Sequence, residues 1–245
     1  MRRFDHFISL GGTCGAKYQI GLNGFRRDRP AGAIDEYEDL LYGRKTADIR
    51  GRSTHFFDWI VSPFPSVVRL IATRFECVFE RENLEITGQG SVVRDRAFDL
   101  RFFHDFHGAG PVLTPRELNA QYRHQRSKFM YYRDKFLKLL RSDERVLYVV
   151  SLPPRYRLAE LASFHEALAA HHPRHRYVLL AVRHSRAAAL QTRLTRLRRE
   201  TRREIVCEVT TASPKPARDR WSFNDAAWQS VLNRYGWRKS LPVGP

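Results

Sequence analysis

Cysteine is scarce in this chain: Cys14, Cys77 and Cys207 are the only three in 245 residues. So sparse and odd a number excludes a disulfide scaffold. Acidic residues are also in deficit. There are 26 Asp and Glu against 43 Lys and Arg, a formal charge of +17. Long apolar runs are missing, and no stretch approaches the ~18 residues needed to cross a bilayer. The start, Met1-Arg2-Arg3-Phe4-Asp5-His6-Phe7, places basic residues before an apolar run. That run is short and breaks at Gly11-Gly12 without a small-residue cleavage site, so it reads as a first strand and not a signal peptide. The expectation is a cytoplasmic protein with reduced, unpaired thiols. There is no internal repeat and no low-complexity linker, which suggests one domain over 1–245.

The chain does have the means to build a core. Hydrophobic residues make up 42% and aromatics 12%, which excludes a disordered tail. The excess positive charge implies attraction to acidic partners, such as acidic or phosphorylated substrates or nucleic acid. It is concentrated in Tyr122–Arg145 and Leu190–Arg203, both of which read as amphipathic helices. Zinc-finger spacing, an aromatic RNA-binding strand and a basic region leading into heptads are all absent. The plainer reading of both stretches is a solvated basic face.

Phe4–Leu10 reads as a buried strand ending in glycines, and Cys14–Leu22 as a short helix with Thr13 as its cap. Residues 27–53 form a charged excursion. Pro63 and Pro65 open a helix over Ser66–Phe75. Residues 84–103 alternate like an inserted β-hairpin, and a long helix spans Pro115–Leu140. Three apolar runs then follow, Val146–Leu152, Tyr177–Val182 and Ile205–Val209, with helical patterns between them. Strands alternating with amphipathic helices predict an α/β domain of three layers around a mainly parallel sheet.

The segment Ser9-Leu10-Gly11-Gly12-Thr13-Cys14-Gly15 is where chemistry is expected. The glycines permit a tight turn with positive φ. A cysteine at a helix start has its thiolate favoured, and the N–H groups of Gly11, Gly12, Thr13 and Gly15 could hold an oxyanion or another anion. Alternatives are a small buried cysteine or a phosphate cradle. The pattern is neither a dinucleotide fingerprint nor a P-loop, so no cofactor is expected. A cysteine nucleophile needs a histidine. His104 lies where the hairpin meets a Gly/Pro loop, and His184 follows a strand end. His165 falls on a helix, and His171, His172 and His175 fall in a polar loop. His104 and His107 have the wrong context for a metal pair, so no metal is expected. The acids that could orient the imidazole are Asp58, inside an aromatic run, Asp105 and Asp225. Asp105 is disfavoured because neighbouring strand side chains point apart, and Asp225 could equally cap the last helix.

At these residues the chain resembles the DUF1796 family of bacterial domains, described as papain-like cysteine peptidases. The resemblance rests on five motifs, in order, between about residues 4 and 231. They are Ser9-Leu10-Gly11-x-x-Cys14 with Gln19, Phe57-Asp58-Trp59-Ile60-Val61-Ser62, His104-Asp105-Phe106, Tyr131-x-Arg133-x-x-x-Phe136-Leu137, and Trp221-x-x-Asn224-Asp225-x-x-Trp228. It implies a thiol nucleophile at Cys14, a base at His104 and an acid such as Asp58 behind it, acting on a peptide, amide or acyl bond. It also implies a papain-like α+β fold with an antiparallel barrel, which the βαβ rhythm of the C-terminal half does not match. The chain departs from the family in its 27–53 excursion.

Overall fold

The computed structural model describes residues 2–28, 54–152, 156, 158–185, 194–200, 203–211 and 225–237. Most of the 27–53 excursion, Trp221 and Asn224 therefore lie outside the described residues.

The apolar runs become strands. β1 (Arg2–Phe4) and β2 (His6–Ser9) are followed by helix α1 (Cys14–Asp28). β3 (Ile60–Val61), β4 (Leu84–Thr87), β5 (Val92–Asp95) and β6 (Leu100–Phe102) form an antiparallel sheet in the order β3-β6-β5-β4. The expected hairpin is thus a three-strand meander closed by β3. Helix α2 (Phe64–Ala72) starts at once after Pro63, with Pro65 in its first turn, where a missing N–H costs nothing.

The long helix α3 (Pro115–Leu140) is opened by a capping box, in which Thr114 and Glu117 bond each other's backbone N–H. β7 (Arg145–Leu152), α4 (Ala162–His171), β8 (Arg176–Ser185), β9 (Leu194–Glu200), β10 (Arg203–Thr211), α5 (Asp225–Leu232) and β11 (Tyr235–Trp237) complete the order.

The larger sheet runs β2-β7-β8-β10-β9. Its first four strands are mutually parallel, and β9 is antiparallel to β10. β1 pairs separately, in parallel, with β11. The described residues thus form a mixed α/β structure, and none of the three sheets closes into a barrel among them.

One correction concerns residues 190–203. The expected Arg-rich helix is replaced at Leu194–Glu200 by the edge strand β9. Charged residues suit an edge strand, because they discourage its open backbone edge from pairing with another chain.

Alternate residues of β7 and β8 enter two separate cores, as a pleated strand requires. Val146, Tyr148, Val150, Tyr177 and Leu179 join Phe136 of α3, Phe164 of α4 and the inner residues of the antiparallel sheet. Leu147, Val149, Val178 and Leu180 join Ala16 and Ile20 of α1 and Trp228, Val231 and Leu232 of α5. The first cluster is rich in rings. Phe129 stacks on Phe79 with centroids 4.7 Å apart and meets Phe102 edge-on at 4.9 Å. These contacts fix α3 and β6 relative to one another, and β6 leads directly to His104.

A buried amide cluster ties α1 to α5. Asn23 Nδ2 donates to Gln229 Oε1 and to Asn233 Oδ1, both at 2.8 Å. Gln229 Nε2 donates to Gln19 Oε1 at 3.1 Å. No described helix is long and apolar enough to cross a membrane.

Candidate active site

β2 runs at the edge of the parallel sheet and delivers the chain to the carboxyl end of its strands, where open α/β sheets carry ligand sites. The turn that follows needs glycine. Gly11 and Gly12 have φ of +76° and +81°, the left-handed region that costs other residues about 1–2 kcal/mol. A Cβ on Gly11 would overlap Ser62 Oγ, and one on Gly12 would overlap the Ser151 carbonyl. The Gly12 N–H donates to the Ser62 carbonyl at 3.0 Å, and the Gly11 N–H to Ser9 Oγ at 3.2 Å. The glycines therefore let the turn pass between β3's exit and β7's end, and the space beside them is filled by protein.

Cys14 is the first residue of α1 and is partly exposed. Its sulfur lies 3.8 Å from His104 Nε2, within reach of a sulfur hydrogen bond, across ninety residues of sequence. His104 is exposed, follows the end of β6, and meets the Trp59 ring edge-on at 6.5 Å between centroids. Trp59 holds φ at +65°. For a bulky residue this is an outlier of the kind that concentrates at functional sites.

The expected ionised sulfur is not what the surroundings favour. Burial pushes the Cys14 thiol from its ordinary 9.0 up to about 11, and the Asp105 carboxylate adds to this. The thiol's own backbone N–H pulls the other way, and Asp58 pushes up again. The helix start gives the sulfur a donor, yet desolvation and two nearby carboxylates outweigh it. At neutral pH the Cys14 sulfur is held as a thiol.

Asp58 has a different partner from the one expected. Its Oδ2 accepts from Lys17 Nζ and from the His55 backbone N–H, each at 2.8 Å, and the side chain is fully buried. Its Oδ1 is buried without a hydrogen bond among the described residues. Burial holds the Asp58 carboxyl above its usual value against the pull of Lys17. The requirement that this acid find a cation or donors is met by a lysine one turn beyond Cys14 and by a backbone cap. Lys135 approaches the same corner. Its Nζ donates to the Thr54 carbonyl at 3.0 Å, and burial lowers its affinity for a proton.

Asp105 lies beyond the end of β6, so strand alternation does not separate it from the site. Its Oδ1 accepts from Lys128 Nζ at 2.6 Å, and its backbone carbonyl accepts from Gln125 Nε2. Both Lys128 and Gln125 were missed in the sequence. The signal was a polar stripe at helical spacing on α3.

Asp225 opens α5, and its side chain and that of His184 lie outside what is described. His165 is buried with Nδ1 3.0 Å from the Tyr177 hydroxyl, and His175 Nε2 lies 2.8 Å from the Tyr148 hydroxyl. These histidines belong to the core. His171 Nε2 lies 2.9 Å from the Ala72 carbonyl at the end of α2. No group of three metal-ligating side chains occurs among the described residues.

Comparison of the chain with protein families, with curated proteins and with solved structures finds no match.

Proposed function

We propose that the protein is an enzyme that uses Cys14 as nucleophile and His104 as general base on an acyl or amide bond. It would be a hydrolase or an acyltransferase, in keeping with the papain-like resemblance. We read its fold as one three-layer domain. The observation that carries the functional reading is the 3.8 Å approach of the Cys14 sulfur to His104 Nε2 at the carboxyl edge of the parallel sheet. Side chains so far apart in sequence meet there, and catalytic pairs are commonly looser before substrate binds.

Because the thiol is protonated at rest, the first step couples two events. His104 Nε2 takes the proton as sulfur bonds to the substrate carbonyl carbon. The carbonyl π pair moves to oxygen, where N–H groups at the start of α1 can receive it. When the tetrahedral species collapses, the imidazolium gives its proton to the departing amine or alcohol, leaving a thioester on Cys14. Water then resolves it in a hydrolase, or a second nucleophile in a transferase, with His104 again as the base. Asp58 stands outside this sequence as the partner of Lys17.

An anion-holding role for the Gly11–Gly12 turn has less support, because Ser62 and Ser151 already occupy the space beside those glycines. An electrophilic acyl probe followed by peptide mass spectrometry tests the enzyme reading. Labelling at Cys14 in folded protein, lost in His104→Ala, is expected. Labelling of Cys77 or Cys207 with Cys14 silent refutes it.

A further inference from the structure

The segment after β6 has no regular structure of its own, yet it is fastened along one side by α3. Glu117 Oε1 accepts the Ala109 N–H at 2.7 Å. Gln121 Oε1 accepts the His107 N–H at 3.1 Å, and its Nε2 donates to the His107 carbonyl at 2.7 Å. Gln125 Nε2 donates to the Asp105 carbonyl, and Lys128 Nζ pairs with the Asp105 carboxylate. Positions 117, 121, 125 and 128 fall on one face of a helix. They bond alternate residues 109, 107 and 105 of the facing chain. Between those rungs Phe106 turns inward and is buried among Phe79 and Phe102. α3 itself is anchored to β6 through Phe129 and Phe102. Gln125 is buried, so its hydrogen bond is sheltered from competing water, and Lys128 lies over the Phe129 ring at 5.2 Å.

Resting on the Cys14–His104 reading, we propose that this strip of α3 sets the imidazole against the sulfur. Gln125 and Lys128 are its positioning residues, and the Lys128–Asp105 pair governs the charge beside Cys14. Gln125 holds the carbonyl immediately after His104, which fixes the backbone that aims the ring. Lys128 offsets the carboxylate that would otherwise repel a developing thiolate. Neither residue touches the reacting atoms.

The test uses the full chain and iodoacetamide, with Cys14 modification followed by mass spectrometry across pH. His104→Ala sets the rate at pH 7 without imidazole assistance. Gln125→Met is expected to fall toward that floor, about tenfold below the parent. Gln125→Leu, which also lacks the donor and adds no charge, carries the same expectation should the methionine variant fold poorly. Lys128→Met is expected to slow modification at pH 9, and Asp105→Asn to speed it, each by the order of tenfold expected for a one-unit shift in the thiol. Lys128→Arg should restore the parental profile.

A merely structural strip would lower the melting temperature and leave these profiles unchanged. If His104→Ala slows Cys14 while the Gln125 and Lys128 variants stay within about twofold of the parent, the positioning role is overturned and the Cys–His pair survives. If His104→Ala has no effect, the Cys–His pair itself fails.

Discussion

The protonation state of Cys14 gives the sharpest quantitative expectation. Burial and the two carboxylates move the thiol from 9.0 to about 11. Two pH units correspond to about 3 kcal/mol against the thiolate. At pH 7 the ionised fraction is then about one in ten thousand, against about one in a hundred for an ordinary thiol. The assay is the ultraviolet difference absorbance of the thiolate, titrated in the wild type and in Cys14→Ser and subtracted. The Cys14 step should be centred well above pH 9, and it should move down in Asp105→Asn.

Stability is linked in the same direction. The folded-state value is raised, so the contribution is fully present below the unfolded value near 9 and is lost as pH rises toward about 11. Discounted for the partial exposure of Cys14, that loss is on the order of 1–2 kcal/mol. It should vanish in Cys14→Ser when urea midpoints are compared at pH 8 and pH 10.5. A titration step at or below pH 8 would show a preformed thiolate and refute the coupled proton transfer from sulfur to His104.

Two further substitutions probe the scaffold. Gly12→Ala combines a left-handed φ with overlap on the Ser151 carbonyl, which is backbone and cannot turn aside. A loss of at least about 2 kcal/mol in urea unfolding is expected, and a loss under about 0.5 kcal/mol would contradict the turn geometry. Asp58→Ala removes the buried carboxylate that faces the Lys17 ammonium and should cost about 3–5 kcal/mol. The double variant Lys17→Met/Asp58→Leu should regain most of that in thermal unfolding, and failure to regain it would place the cost elsewhere than in the broken ion pair.

Much of the scaffold was readable because burial leaves plain marks. The apolar runs at Val146–Leu152 and Tyr177–Val182 are strands covered on both faces, and the Gly11–Gly12 turn announces a conformation other residues avoid. β9 was misread for a physical reason. Leu194 and Leu197 stand three apart, a helical spacing, and arginines fill the gaps. In the sheet, Arg198 pairs with Ile205 and Arg196 with Val206, so Leu197 is an extra residue at a register shift. A bulge of this kind breaks the two-residue period that marks a strand.

The site was half legible. Cys14 and His104 stand out by residue type and by their places at element ends. The partner of Asp58 did not, because Lys17 reads as an ordinary helix-surface lysine until the fold buries it. The polar stripe on α3 was visible, but its partners were not, because most of its rungs bond backbone groups, which carry no sequence signature.

The pairing of β1 with β11 has a kinetic consequence. Arg2 lies beside Tyr235, and Phe4 beside Trp237, in a parallel ladder that spans almost the whole numbered chain. The helix that bears Cys14 also leans on Trp228 and Gln229. During synthesis these partners emerge long after β1 and α1, so the N-terminal segment must wait for them before the ladder can close. Closing so long a loop is a slow step. The helix that bears Cys14 therefore gains its packing against α5 only once that distant segment has been made, and assembly of this corner is a late folding event.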